Sequence, residues 1–169
     1  ILDLQPQPLD EVSVISQERK KVTDSARRVV IKVGSSVLTS SRGVDLGVIS
    51  RLCDEISMLR EQDRQVVIVS SGAIASGIRK IGLNEVPRTI PQKQAAAAVG
   101  QGSLIQAYEA AFSHYGLKVA QILLTSDDLT NRRRYLNARH TLQTLLDWGI
   151  IPVVNENDTM VVDESKFSD

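Results

Sequence analysis

Residues 28–36, Arg28-Val29-Val30-Ile31-Lys32-Val33-Gly34-Ser35-Ser36, form an apolar, β-branched run that carries one lysine near its end and breaks at a glycine and two serines. A run that is apolar at nearly every position suits a strand buried in a parallel sheet. Lys32 stands where the strand stops, and Gly34 lets backbone N–H groups approach a ligand closely. In open α/β sheets, ligands sit outside the carboxyl ends of the strands. A cation beside a Gly/Ser turn at such an end points to an anion, with phosphate the leading candidate. The same residues also suit a plain βα turn whose lysine reaches solvent, because Lys-x-Gly-Ser is a weak pattern by itself.

The pattern recurs along the chain. Val66-Val67-Ile68-Val69 is a second apolar run, and it too breaks into small residues, Ser70-Ser71-Gly72-Ala73. Leu117 to Leu124 reads as a third strand and Ile150 to Val154 as a fourth, although Pro152 removes a ladder donor from the latter. Helical patterns fill the gaps. Asp45 stands at an N-cap position before Ile49, Leu52, Ile56 and Leu59, which recur at helical spacing. A short helix over Ile74 to Ile81 closes at Gly82. Pro91 suits the first turn of a helix running from Gln92 to His114, in which Gly100 and Gly102 permit another backbone to come close. A last helix has Tyr135, Leu142, Leu145 and Leu146 on its core face and ends at Gly149. Strand and helix alternate, so the expected class is α/β: a mainly parallel sheet with helices on both faces and right-handed crossovers.

Of the 169 residues, 42% are hydrophobic and 24% charged, with formal net charge +0. Neither nucleic acid nor an anionic lipid surface would be attracted overall. No apolar run approaches the length needed to cross a bilayer. Cys53 is the single cysteine, which excludes an internal disulfide framework and fits a reducing cytoplasm. His114 and His140 lack metal-ligand spacing and read as packing or surface residues. Residues 1–26, with Pro6, Pro8 and mixed charges, sustain no period; they read as a flexible or docked extension before a domain over 27–169.

Three strand ends carry unusual chemistry: Lys32 with Gly34 and Ser35, then Ser71-Gly72-Ala73, then Asn155-Glu156-Asn157-Asp158. In a parallel sheet they fall on one edge, so a cation, two sets of backbone donors and a carboxylate would converge. Taken singly, the second is a plain tight turn and the third a solvated polar turn. Neither G-x-x-x-x-G-K-[ST] nor a strand-linked G-x-G-x-x-G occurs, so a nucleotide would need a different phosphate grip.

Five stretches, in order and spacing, resemble the glutamate 5-kinase branch of the amino acid kinase superfamily. They are Val30 to Thr39, Val69 to Gly77, Ala98-Val99-Gly100-Gln101, Leu136-Asn137-Ala138-Arg139, and Ile151 to Asp158. The resemblance implies an amino acid kinase-like fold whose nucleotide-binding half lies beyond this stretch. It implies ATP-dependent phosphorylation of the L-glutamate side-chain carboxylate, the first step of proline synthesis, by a cytoplasmic homo-oligomer with proline as feedback inhibitor. Lys32 would be catalytic and, with Gly34, Ser35 and Gly72, would hold the ATP phosphates. Ser71, Gly72, Ala73, Asn155, Asp158 and Asp169 would hold glutamate, and Mg2+ would ride on ATP without a protein ligand. Lys166-Phe167-Ser168-Asp169 matches the start of the family's Lys-[FVI]-Gly-Asp-Asn-Asp stretch, with serine in place of glycine. On these grounds the chain alone is expected to be inactive. The other readings are a glutamate- or proline-binding module without turnover and the kinase half of a bifunctional pyrroline-5-carboxylate synthase.

Overall fold

The structure is a computed structural model that describes residues 20–40 and 43–157. From the start of the domain the elements are β1 (Arg28–Val33), a single helical turn α1 (Ser35–Leu38), and the short strands β2 (Thr39–Ser40) and β3 (Gly43–Val44). Then follow α2 (Leu46–Glu61), β4 (Gln65–Ser70), α3 (Ala73–Ile81), α4 (Ile90–Ser113) and β5 (Val119–Leu124). The described part closes with α5 (Ser126–Thr130), α6 (Arg132–Asp147) and β6 (Ile151–Glu156). The main sheet has four strands in the order β1-β4-β6-β5, and every pairing in it is parallel. β2 and β3 form a separate antiparallel pair.

The local chemistry matches the elements. Asp45 caps α2 by accepting from the Val48 N–H at 3.1 Å. Thr89 and Gln92 form a capping box at the start of α4, with Pro91 in its first turn. Gly82 ends α3 and Gly149 follows α6, both with positive φ, as a left-handed C-terminal turn requires.

Register fixes which face each side chain joins. Val33 of β1, Val66 and Ile68 of β4, and Ile151 and Val153 of β6 pack with Ile49, Cys53 and Ile56 of α2 and with Leu104, Tyr108 and Phe112 of α4. The alternate residues Arg28, Val30 and Lys32 belong to the opposite face. There α6 reaches over the sheet, and Gln143 Oε1 accepts from the Arg28 guanidinium at 2.9 Å.

Three details depart from the sequence reading. Tyr135 does not join a core face: it is exposed, and Leu146 carries the buried contact of α6. Gly102 meets no other backbone, whereas Gly100 does. β6 lies inside the sheet despite Pro152, and it runs on through Asn155 and Glu156. Ile151 donates its N–H to Lys118 on the β5 side, at 2.9 Å. The next position therefore aims its nitrogen towards β4, where pairing begins only at Ile68 and Val153. Proline therefore occupies a place in this strand where the ladder asks for no donor.

Candidate functional site

Because β1, β4 and β6 are consecutive neighbours, their carboxyl ends line one edge of the sheet. Lys32, Gly34 and Ser35 lie at the first end, Ser71, Gly72 and Ala73 at the second, and Asn155 at the third. Asp158 and Asp169 lie outside the described residues.

Ser71 joins the first two ends. Its N–H and its hydroxyl both donate to the Val33 carbonyl, each at 3.1 Å. With that proton turned inward, Ser71 Oγ keeps lone pairs for a ligand that donates, such as an ammonium group. Gly34 begins the α1 turn, its carbonyl accepting from Val37 and Leu38. A Cβ at Gly34 would meet nothing within 4 Å, so the backbone there is open to a ligand. Lys32 is exposed on the face of Val30 and makes no ion pair among the described residues.

Gly72 adopts φ +104°, a left-handed conformation natural to glycine. It is the N-cap of α3 and supplies no side-chain cap, so the first N–H groups of the helix stay available to an anion. α3 is seated by a close crossing with α4. A Cβ at Gly100 would overlap the Ala73 carbonyl, and one at Gly77 would overlap the Ala96 carbonyl. Two glycines thus bring the helix backbones into direct contact and hold the Gly72 turn in place.

The end of β6 is polar and buried. Asn155 is 6% exposed; its Oδ1 accepts from the Glu156 N–H at 2.9 Å, while its Nδ2 is buried without a partner. Extending the β4–β6 register places it beside Ser70, whose hydroxyl meets the Tyr108 hydroxyl at 3.3 Å. Asn155 therefore faces α4, on the opposite face from Lys32. Buried Gln101 of α4 adjoins this end through the Glu156 carbonyl and accepts from the exposed Gln121 of β5. Sequence reasoning passed over Tyr108 and Gln121, since an isolated polar residue in a helix or strand pattern carries no motif, and it placed Gln101 in a family-like stretch without giving it a role.

Electrostatics separate reactive groups from structural ones. Burial, with the Asp54 carboxylate adding to it, pushes the Cys53 thiol up to about 12, so it stays protonated and inert. Burial also raises the Tyr108 hydroxyl, against the lowering effect of Ser70. A groove of about 930 Å³ lies between the end of α3 and the start of α4, lined by residues such as Leu83, Val86, Pro87 and Thr89. It contains none of the strand-end residues.

The amino acid kinase family model matches residues 27–168. The chain belongs to the amino acid kinase family. Among curated relatives, the glutamate 5-kinase of Pelobacter propionicus is 58% identical over 152 residues, which cover 89% of this chain and 41% of that protein. The glutamate 5-kinase of Geobacter metallireducens is 59% identical with the same coverage. That of Thermus thermophilus is 53% identical over 145 residues, 86% of this chain and 39% of its own length. The chain thus spans about two fifths of these relatives. As an amino acid kinase family member it presents groups that fit a phosphate chain: an exposed lysine, an open backbone at Gly34 and uncapped N–H groups at α3.

Proposed function

We propose that this chain forms the glutamate-binding part of a kinase that transfers a phosphoryl group from ATP to the side-chain carboxylate of L-glutamate. The observation that carries it is the adjacency of the Lys32–Gly34 and Ser71–Ala73 turns on neighbouring strand ends, in a chain similar to proteins named glutamate 5-kinase. A glutamate side chain has an ordinary pKa of about 4.3, so it arrives ionised and needs no general base. The obstacle is the approach of one anion to another, and such transfers depend on positioning and charge stabilisation.

Lys32 would neutralise phosphoryl oxygens, and the N–H groups at Gly34 and the start of α3 would donate to them. When bound, ATP with its Mg2+ supplies the phosphoryl group. Ser71 Oγ, committed as an acceptor, suits the α-ammonium of the substrate. Asp158, four positions past Val154, suits the same group, because a carboxylate facing the phosphates would repel them.

The test uses a full-length protein carrying this chain, with ATP, Mg2+ and hydroxylamine to trap an acyl phosphate. Glutamate-dependent hydroxamate and matching ADP release are expected. ADP release indifferent to glutamate, or a preference for another amino acid, overturns the reading.

A further inference from the structure

Gly100 and Gln101 are consecutive on α4, and each meets the backbone at a different strand end. Gly100 lies against the Ala73 carbonyl and the Gly77 N–H, so it seats the start of α3. Gln101 is 7% exposed on the sheet-facing side of the helix. Its Nε2 donates to the Glu156 carbonyl at 3.3 Å, and its Oε1 accepts from Gln121 Nε2 at 2.9 Å. The peptide units on either side of Glu156 are held as well. The Glu156 N–H donates to Asn155 Oδ1 at 2.9 Å, and the Asn157 N–H donates to the Leu124 carbonyl at 2.8 Å. Leu104, Tyr108 and Phe112 fill the same face of α4 with large side chains, so packing alone would be served by an apolar residue at 101. A buried amide stands there instead, and its donor is spent on a backbone carbonyl two residues before Asp158 in the chain.

We infer that Gln101 is a positioning residue of the glutamate site. Through the Glu156 carbonyl it sets where the segment leading to Asp158 leaves the sheet, while Gly100, one residue earlier, fixes the Ser71–Ala73 turn. One turn of α4 thereby holds two of the three strand ends in a constant relation. The inference rests on the proposed function, because it assigns the positioned segment to glutamate rather than to nucleotide.

The test is Gln101→Met in a full-length protein carrying this chain; methionine keeps the length of the side chain and removes both hydrogen bonds. Losing a buried hydrogen bond of this kind corresponds to roughly a tenfold effect. The KM for glutamate is expected to rise by about that factor, with kcat and the KM for ATP within about twofold. Hydrogen exchange in the peptide spanning 151–157 should quicken, while the paired strands β1 and β4 keep their protection. An unchanged glutamate KM in the folded variant overturns the inference. So does a parallel shift of kcat, both KM values and melting temperature, which marks a merely structural role. If Gln101→Met does not fold, Gln121→Met removes only the brace on Oε1. A glutamate-only rise of about two- to threefold then supports the inference, and no rise overturns it. Where the unsubstituted protein fails to phosphorylate glutamate, it is the proposed function that falls. The exchange measurement still decides whether Gln101 holds the 151–157 segment: quicker exchange there keeps the positioning role, and unchanged exchange removes it.

Discussion

Lys32 leaves β1 one residue before its end and projects into solvent, so its removal costs no packing. Lys32→Met should therefore leave stability within about 0.5 kcal/mol of the parent. If the lysine faces a transferring phosphoryl group, its loss should lower kcat/KM by about 10²–10³-fold, by analogy with removing one donor to a developing oxyanion. Circular dichroism melts and steady-state kinetics on a full-length protein check the two halves, and near-normal turnover would take Lys32 out of the mechanism. Asp158 makes a different demand. If it pairs with the substrate ammonium, as proposed, it binds ground state and transition state alike, and its loss appears in KM more than in kcat. Asp158→Asn keeps the shape and removes the charge. On that reading the KM for glutamate should rise by a factor of tens or more, since removing one partner of a desolvated, hydrogen-bonded charge pair costs on the order of 2–5 kcal/mol. The KM for ATP should stay nearly constant. Varying each substrate in turn decides it: movement of the ATP dependence with glutamate binding intact would reassign Asp158 to metal or nucleotide.

The crossing of α3 and α4 is the element-scale counterpart of these residues. Gly100→Ala would drive a methyl group into the Ala73 carbonyl, and backbone cannot swing aside as a long side chain can. The helices must separate, at about 1–3 kcal/mol, and the uncapped start of α3 moves with them. Chemical denaturation measures the loss, and an unchanged midpoint would contradict a backbone-to-backbone crossing at Gly100. The Thr125–Asp128 cap of α5 adds a pH-dependent element. The Thr125 hydroxyl and N–H donate to Asp128 Oδ2 at 2.7 and 2.8 Å, and with Arg134 nearby they hold this carboxyl below its ordinary value. A lowered folded pKa means the stabilisation is complete above the unfolded value, about 4, and is lost as pH falls through the folded one. The stability gap between the parent and Asp128→Asn should be present at neutral pH and close in acid; a gap that persists below the folded pKa would contradict the cap. The legibility of these elements from sequence followed the strength of local signals. The four parallel strands showed as apolar runs, and Asp45, Pro91, Gly82 and Gly149 marked helix ends by their own backbone chemistry. Strand order did not show, because β6 enters between β4 and β5 through contacts distant in sequence. The partners of Gln101 and Tyr108 were hidden for the same reason, since Glu156 and Ser70 lie 55 and 38 residues away. Tyr135 misled because helical spacing identifies a face without saying whether anything covers it.

Across the whole molecule the two faces of the sheet are unequally covered. One is sealed by α2 and α4, with Ile56, Ile68, Tyr108 and Phe112 fully buried. On the other, α6 is the helix that reaches the sheet among the described residues, and it does so at β6 and at Arg28. Val30 of the edge strand β1 is left 62% exposed, and Val67, Val69 and Val154 on the same face are only half-buried. A purely parallel sheet is stable in water when both faces are covered, and an open apolar face beside an unpaired edge invites association. The relatives are more than twice as long as the segment matched here, which leaves ample chain to supply that cover. The chain expressed alone should therefore bind a hydrophobic dye and self-associate as its concentration rises, and a full-length protein should do neither through this face. Val30→Lys should weaken the association without disturbing the sealed core, because the side chain already meets solvent. Sedimentation velocity over a hundredfold concentration range reads this directly. A chain that stays monomeric and dye-silent on its own would mean that residues outside the described segments already close the face.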